Sequence, residues 1–254
     1  MIDSPLILSL ETATLGGSVW LGGGKLQLAA RIGDPVISQS TSLLSDVNNC
    51  LEEASLSLQD VDVFACASGP GSFTGLRIGI ATLKALAATL DRPCVGIPTL
   101  HAVAHAAGPS SATISLLPAG RGEVFAQMFS VSSVSGDDIV AAIDTASHLS
   151  PQKLMEKYGA LGDLTWAGSG AYLQHEVIEN GARALGLALR LSSTEEPPTG
   201  RERGWDLAAN EGNLATHVAA LAEQAFRKGM LQRPDSLNAI YVRPSDAELK
   251  EQQG

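Results

Sequence analysis

At 254 residues and 44% hydrophobic, the chain is long enough to bury two cores, so two domains of about 100–150 residues are expected. The formal net charge is −10, and the 17 lysines and arginines form no basic run, which argues against the chain as a main nucleic-acid-binding surface, because gripping phosphates takes clustered cations. No apolar run reaches membrane-spanning length, and Met1-Ile-Asp-Ser-Pro has no basic region ahead of an apolar one, so no membrane partner and a cytoplasmic location are expected. The three cysteines, Cys50, Cys66 and Cys94, sit in apolar patterns without metal-ligand spacing and read as buried thiols of a reducing compartment.

In chain order, Pro5-Leu-Ile-Leu-Ser-Leu-Glu-Thr-Ala, Gly16-Gly-Ser-Val-Trp-Leu and Lys25-Leu-Gln-Leu-Ala-Ala-Arg-Ile read as three strands. A helix follows near Ser40, which is placed to cap it, with Leu43, Leu44, Val47, Cys50, Leu51 and Ala54 at helical spacing. Val61-Asp-Val-Phe-Ala-Cys is a short buried strand, and it leads into the stretch around which the chain is organised: Cys66-Ala-Ser-Gly-Pro-Gly-Ser-Phe-Thr-Gly-Leu-Arg-Ile-Gly. That stretch reads as strand, Gly-Pro-Gly turn and helix, the helix running to Leu90.

Spacing decides against the common phosphate loops. Gly75 is followed by Leu76 where a P-loop needs Lys, and Thr74 stands where a dinucleotide fingerprint needs its third glycine. A tight structural turn is therefore read ahead of an anion site at the helix start. Within the helix, Gly75, Gly79, Ala81, Ala85 and Ala88 interleave with Leu76, Ile80, Leu83, Leu86 and Leu90, and only Arg77 and Lys84 are charged. Glycine inside a helix costs about 1 kcal/mol relative to alanine, so Gly79 calls for a packing reason. Two readings stay open on pattern alone: a central helix of one domain, or a helix with its own core on one side and a partner protein on the other.

A strand at Pro93-Cys-Val-Gly-Ile and a helix over Thr99 to Ala107 complete a mixed sheet with helices. Gly108-Pro-Ser-Ser marks a boundary. Beyond it the reading gives strands at Thr113-Ile-Ser-Leu-Leu, Glu123-Val-Phe-Ala-Gln-Met-Phe and near Ile139, a helix at 151–158, and a strand at Leu164-Thr-Trp-Ala. A helix over Tyr172 to Arg183, a strand at Ala188-Leu-Arg-Leu, a loop from Ser192 to Trp205, a helix from Leu214 to Phe226, and an extended piece at Asn238-Ala-Ile-Tyr-Val-Arg-Pro follow. The domains are drawn at 1–108, completed by 212–245, and at 109–211, with 246–254 a polar tail.

Three segments together resemble the bacterial TsaB (YeaZ) proteins of tRNA threonylcarbamoyladenosine synthesis. Ser68-Gly-Pro-Gly-Ser-Phe-Thr-Gly-Leu-Arg-Ile-Gly looks like that family's signature, a turn of Gly69, Pro70, Gly71, Ser72, Phe73, Thr74, Gly75 and Arg77. Leu8-Ser-Leu-Glu-Thr-Ala resembles its first strand, with Glu11 where Asp is usual, and Ile240-Tyr-Val-Arg its closing segment. The resemblance implies an α/β, actin-like (ribonuclease H-like) fold of two lobes, the second degenerate. It further implies a non-catalytic partner of the related enzyme TsaD, with TsaE as third component, no cofactor of its own, ATP and metal on the partner proteins, and tRNA met only through the complex. A homodimer is the other pairing it implies. The pairing face carried over from the family is Leu43, Leu44, Val47 and Leu51 with Leu76, Gly79, Ile80, Leu83 and Leu86.

Chemistry of the chain's own has few residues to rest on. Glu11, with Thr12 beside it, is the nucleotide-binding candidate, and Pro118-Ala119 leaves the matching acidic place on the second lobe empty. Gly120 likewise stands where the resemblance expects Arg. His101 and His105 are four apart on a helix, a metal-ligand spacing, yet no carboxylate near them in sequence completes a site, and a chance pair on a helix surface is the reading taken. Ser68, Ser72 and Thr74 lack a marked His–Asp activator, and a helix cap explains Ser72 or Thr74. An interaction subunit that activates TsaD is thus expected. The alternative is an independent actin-like enzyme, an ATP-dependent phosphotransferase or a metal-dependent peptidase or hydrolase.

Overall fold

The computed structural model describes residues 4–191, 203–209 and 212–242. They divide into two compact units, one within Met1–Ala102 and Gly212–Gly254, the other within Val103–Glu211.

The first unit is built on a five-stranded sheet. Its strands are β1 (Ile7–Glu11), β2 (Ser18–Gly23), β3 (Leu26–Ile32), β4 (Val63–Gly69) and β5 (Cys94–Pro98), in the order β3-β2-β1-β4-β5. The β1, β2 and β3 strands pair antiparallel, whereas β1, β4 and β5 run parallel. Strand alternation sorts the side chains. Leu8, Leu10, Val19, Leu21, Phe64 and Cys66 point to one face, where α1 (Gln39–Glu53) sets Leu43, Val47, Cys50 and Leu51 and α2 (Phe73–Thr89) sets Ile80, Leu83 and Ala87 against them. On the other face lies α7 (Leu214–Arg227), where the Ser9 hydroxyl donates to the Ala215 carbonyl at 2.9 Å. Covered on both sides, β1 is buried at all five residues, its polar Ser9 and Glu11 included. The N-cap of α1 is Ser38 rather than the expected Ser40, whose hydroxyl meets that of Ser38 at 2.8 Å.

After α7 the chain returns as a strap across the parallel edge of this sheet. Gln232 and Cys94 exchange two backbone hydrogen bonds of 2.9 Å. Lys84 donates its ammonium to the carbonyls of Asp235 and Leu237 at 3.3 and 3.0 Å, and Ile240 N donates to Ser68 O at 2.7 Å. The piece expected to be extended at 238–244 is therefore no ladder strand but a strap end, and its Arg243 and Pro244 lie outside the described residues.

Between the sheets in sequence is α3 (Thr99–Ala107), divided between the two units. The second unit holds β6 (Ser110–Gly120), β7 (Glu123–Val134), β8 (Asp137–Ala142), β9 (Ser147–Leu149), α4 (Pro151–Tyr158), β10 (Leu164–Ala167), α5 (Ser169–Leu173), α6 (His175–Ala184), β11 (Ala188–Leu191) and β12 (Gly204–Leu207). The sheet order is β11-β12-β10-β6-β7-β8, with β9 on β7. One face of it is the core of Ile114, Leu116, Leu154, Ile178 and the edge-on pair Trp166 and Trp205, whose ring centroids are 5.2 Å apart.

Three expectations are revised here. The single helix over 172–183 is two, broken at Gln174, whose buried amide donates to Gly122 O at 2.6 Å and so cannot stay on a helix surface. The loop ending at Trp205 instead finishes in β12, buried at all four residues, and its residues 192–202 lie outside those described. β9 is too short a strand, at three residues, to show a period. The tail at 246–254 also lies outside the described residues.

Candidate functional site

The signature turn is seated on the end of β1. At Gly69, φ is +111° and a Cβ would stand 2.4 Å from Ile240 O, so both the backbone and the strap require glycine there. Its N–H donates to Thr99 Oγ1 at 3.1 Å. Next, Ser72 N donates to Ala13 O at 2.8 Å, and Ser72 Oγ accepts from Gly75 N at 3.2 Å. Ser72 is thus the cap of α2, and Thr74 is not. Once started, the helix lies directly on Thr12. A Cβ on Gly75 would be 1.9 Å from Thr12 O, and one on Gly79 would be 2.1 Å from Thr12 Oγ1. Two glycines a turn apart are what lets helix and strand end approach so closely. That is the packing reason Gly79 called for.

The same approach buries the end of β1. Glu11 is 1% exposed, and its carboxylate accepts from Thr14 N at 2.7 Å and Thr14 Oγ1 at 2.6 Å. Thr12 is equally buried, beneath α2. Between the β1–β2 loop and the first turn of α2 sits the Gln39 side chain, whose amide donates to Thr14 O at 2.9 Å. A Cβ on Gly17 would meet its nitrogen, and one on Gly75 its oxygen, each at 2.8 Å. Glu11 therefore organises the loop that follows β1, and Thr12 lies beneath α2. Nothing in the sequence singles out Gln39, since a glutamine at a helix start is commonplace.

Among the described residues, Ser68 Oγ is buried with no hydrogen-bond partner and no base beside it to activate it. Among the described residues, no three His, Cys, Asp or Glu side chains gather as a metal cage needs. His101 and His105 are half-buried and not on an open helix surface, because α3 has Leu100, Ala102, Val103 and Ala104 inside. Burial pulls both imidazoles below their ordinary pKa, partly opposed at His105 by Asp138 and Asp137. The hairpin between β6 and β7 turns through Arg121 and Gly122, with φ of +53° and +77°, after Gly120 at +84°. Left-handed backbone at those places explains the glycines.

The two helices of the first unit each have an inner and an outer side. Leu43, Val47, Leu51, Leu76, Gly79, Ile80 and Leu83, which the resemblance placed on a pairing face, are buried in the chain's own core. Leu44, 62% exposed, is on the surface, and Leu86 is half-buried. The exposed side of α2 consists instead of Thr74, Arg77, Ala81, Ala85 and Ala88, and α1 beside it exposes Ser40, Thr41, Leu44 and Asn48. The difference is one of helix side. A helix small and apolar almost all round gives no period from which to tell its inner face from its outer.

The family model described as TsaD, tRNA N6-adenosine threonylcarbamoyltransferase, matches residues 38–189, and the chain belongs to that family, on its TsaB (YeaZ) side. The TsaB protein of Escherichia coli K12, described as a tRNA threonylcarbamoyladenosine biosynthesis protein, is 32% identical over 127 residues, 47% of this chain and 52% of the relative. TsaB of Haemophilus influenzae is 36% identical over 106 residues, 40% of this chain and 42% of the relative. These matches span about half the length of the curated relatives, or less. In three dimensions, YeaZ from Pseudomonas aeruginosa superposes with a TM-score of 0.67 at 22% identity, covering 93% of this chain and 99% of that one. The fold is the actin-like, ribonuclease H-like α/β fold.

Proposed function

We propose that the chain is a non-catalytic subunit that pairs with TsaD and activates it in forming the threonylcarbamoyl group on the adenosine next to the tRNA anticodon. The observation that carries this reading is the two-sidedness of α2. Its glycine side presses onto Thr12, next to the buried Glu11, while its alanine side is open beside α1. Small side chains let a partner helix approach closely, and a smooth helix pair is a surface that packs against another. The relatives named for threonylcarbamoyladenosine synthesis supply the pathway. TsaE is the third component, ATP and metal belong to the partner proteins, and tRNA is met through the complex. Without TsaD, a second copy takes the same face.

The test is threonylcarbamoyl transfer to tRNA by TsaD and TsaE, with and without this chain, alongside measured complex formation. Activity and complex should both require the chain and be lost in Ala85→Glu, which places a charge on the open side and leaves the core alone. Substituting Gly79 would not discriminate, since the Thr12 contact makes that variant a test of folding. Transfer that is indifferent to the chain, or turnover by the chain alone, would sink the proposal.

A further inference from the structure

Three of the resembling segments' residues meet at the head of the open face. Phe73, at the start of α2, has the ring of Tyr241 from the strap 5.4 Å away, centroid to centroid, and the guanidinium carbon of Arg77 3.9 Å over its own ring. Arg77 is exposed, as is Tyr241 at 49%, and Phe73 is half-buried between them. Arg77 makes no hydrogen bond or ion pair among the described residues. Lys84, two turns on, shares its stripe of the helix but has its ammonium bound to the strap carbonyls at 3.0 and 3.3 Å. So α2 presents one unspent cation, laid on the Phe73 ring that Tyr241 meets at a tilt.

We propose that Arg77 is an anchor of the pairing face, there to receive a side-chain carboxylate of the partner protein. The inference rests on the reading of α2 as that face and names the chemistry at its head. A guanidinium laid on a ring keeps its N–H edge outward, where it can fork onto the two oxygens of a carboxylate. Prior ordering by the ring reduces the side-chain entropy that binding must still remove. The surroundings point to protein and not to nucleic acid. Arg77 lies over Phe73, whose ring meets the exposed Tyr241, and it shares the exposed side of α2 with Ala81, Ala85 and Ala88, an arginine and aromatic grouping of the kind found at hot spots. Phosphate backbones are held by several cations together, and α2 offers one.

The experiment is titration of TsaD with the full chain, its Arg77→Ala, Arg77→Lys and Ala85→Glu variants, and Phe73→Leu, at low and moderate salt, with tRNA binding by the assembled complex measured in parallel. Arg77→Ala should weaken the protein pair on the order of tenfold at an unchanged melting temperature. Arg77→Lys should not restore it, and Phe73→Leu should give part of the same loss. An Arg77→Ala pair as tight as wild type, with Ala85→Glu disruptive, overturns the anchor and leaves the pairing reading standing. Loss confined to tRNA binding overturns it in favour of a phosphate contact. Absence of any complex with the unaltered chain removes both readings.

Discussion

Gly75 and Gly79 face the same threonine through different atoms, and the difference is measurable. Above Gly79 is a side-chain hydroxyl, whereas above Gly75 is a backbone carbonyl. Overpacking of this sort destabilises by about 1–3 kcal/mol. Gly79→Ala should therefore lower the urea midpoint and recover much of it when combined with Thr12→Ala, while Gly75→Ala should not respond to that second change. Equal rescue of both would show that the helix simply shifts. The cysteines are a second case at this scale. Burial lifts the Cys50 and Cys94 thiols from 9.0 to about 11 and Cys66 to about 12. The folded chain keeps these protons where the unfolded chain loses them. Their contribution to stability is whole below pH about 9 and is lost as the pH climbs toward 11. The Tyr158 phenol, buried beside Asp144, is also raised and acts with the same sign. Denaturation midpoints at pH 8 and 10.5, roughly bracketing that window, should fall, and native thiols should resist alkylation at the lower pH. The histidines work in the other direction. With folded values below the ordinary 6.5, they withdraw stability as the pH drops beneath it.

Among the elements, the strap is held by one side chain, that of Lys84, besides its backbone bonds. Replacing Lys84 by Met keeps the stem and removes the bonds to Asp235 O and Leu237 O. A charged hydrogen bond contributes about 1.5–3 kcal/mol, so Lys84→Met should speed amide exchange at Ile240 well before it affects β1. Exchange at both sites rising together would mean that the strap is not a separate unit. How much of this was legible varied by element. Strands such as β1 and helices such as α1 and α7 announce themselves by apolar period. The break at Gln174 and strand β12 do not, because their reasons lie in partners distant along the chain: Gly122 for the glutamine, and β10 and β11 for β12. The motif pointed to α2, and only the seat on Thr12 shows which side faces inward.

At the scale of the whole molecule, Glu11 and Thr12 at the end of β1 are both 1% exposed. Millimolar Mg-ATP should leave the melting temperature of the isolated chain where it was, since only a ligand bound to the native state raises it. A concentration-dependent rise would point to a site elsewhere. Gln39 has a consequence on a different axis, that of time. One amide lies against the β1–β2 loop and the first turn of α2 while belonging to the first turn of α1. That contact ties the start of α1 to the start of α2. On the pairing proposed for these helices, docking then needs no slow rearrangement, and association should run at roughly 10⁵–10⁷ per molar per second. Gln39→Ala should leave the folded chain intact yet add a lag, as the partner waits for two helices to find their alignment.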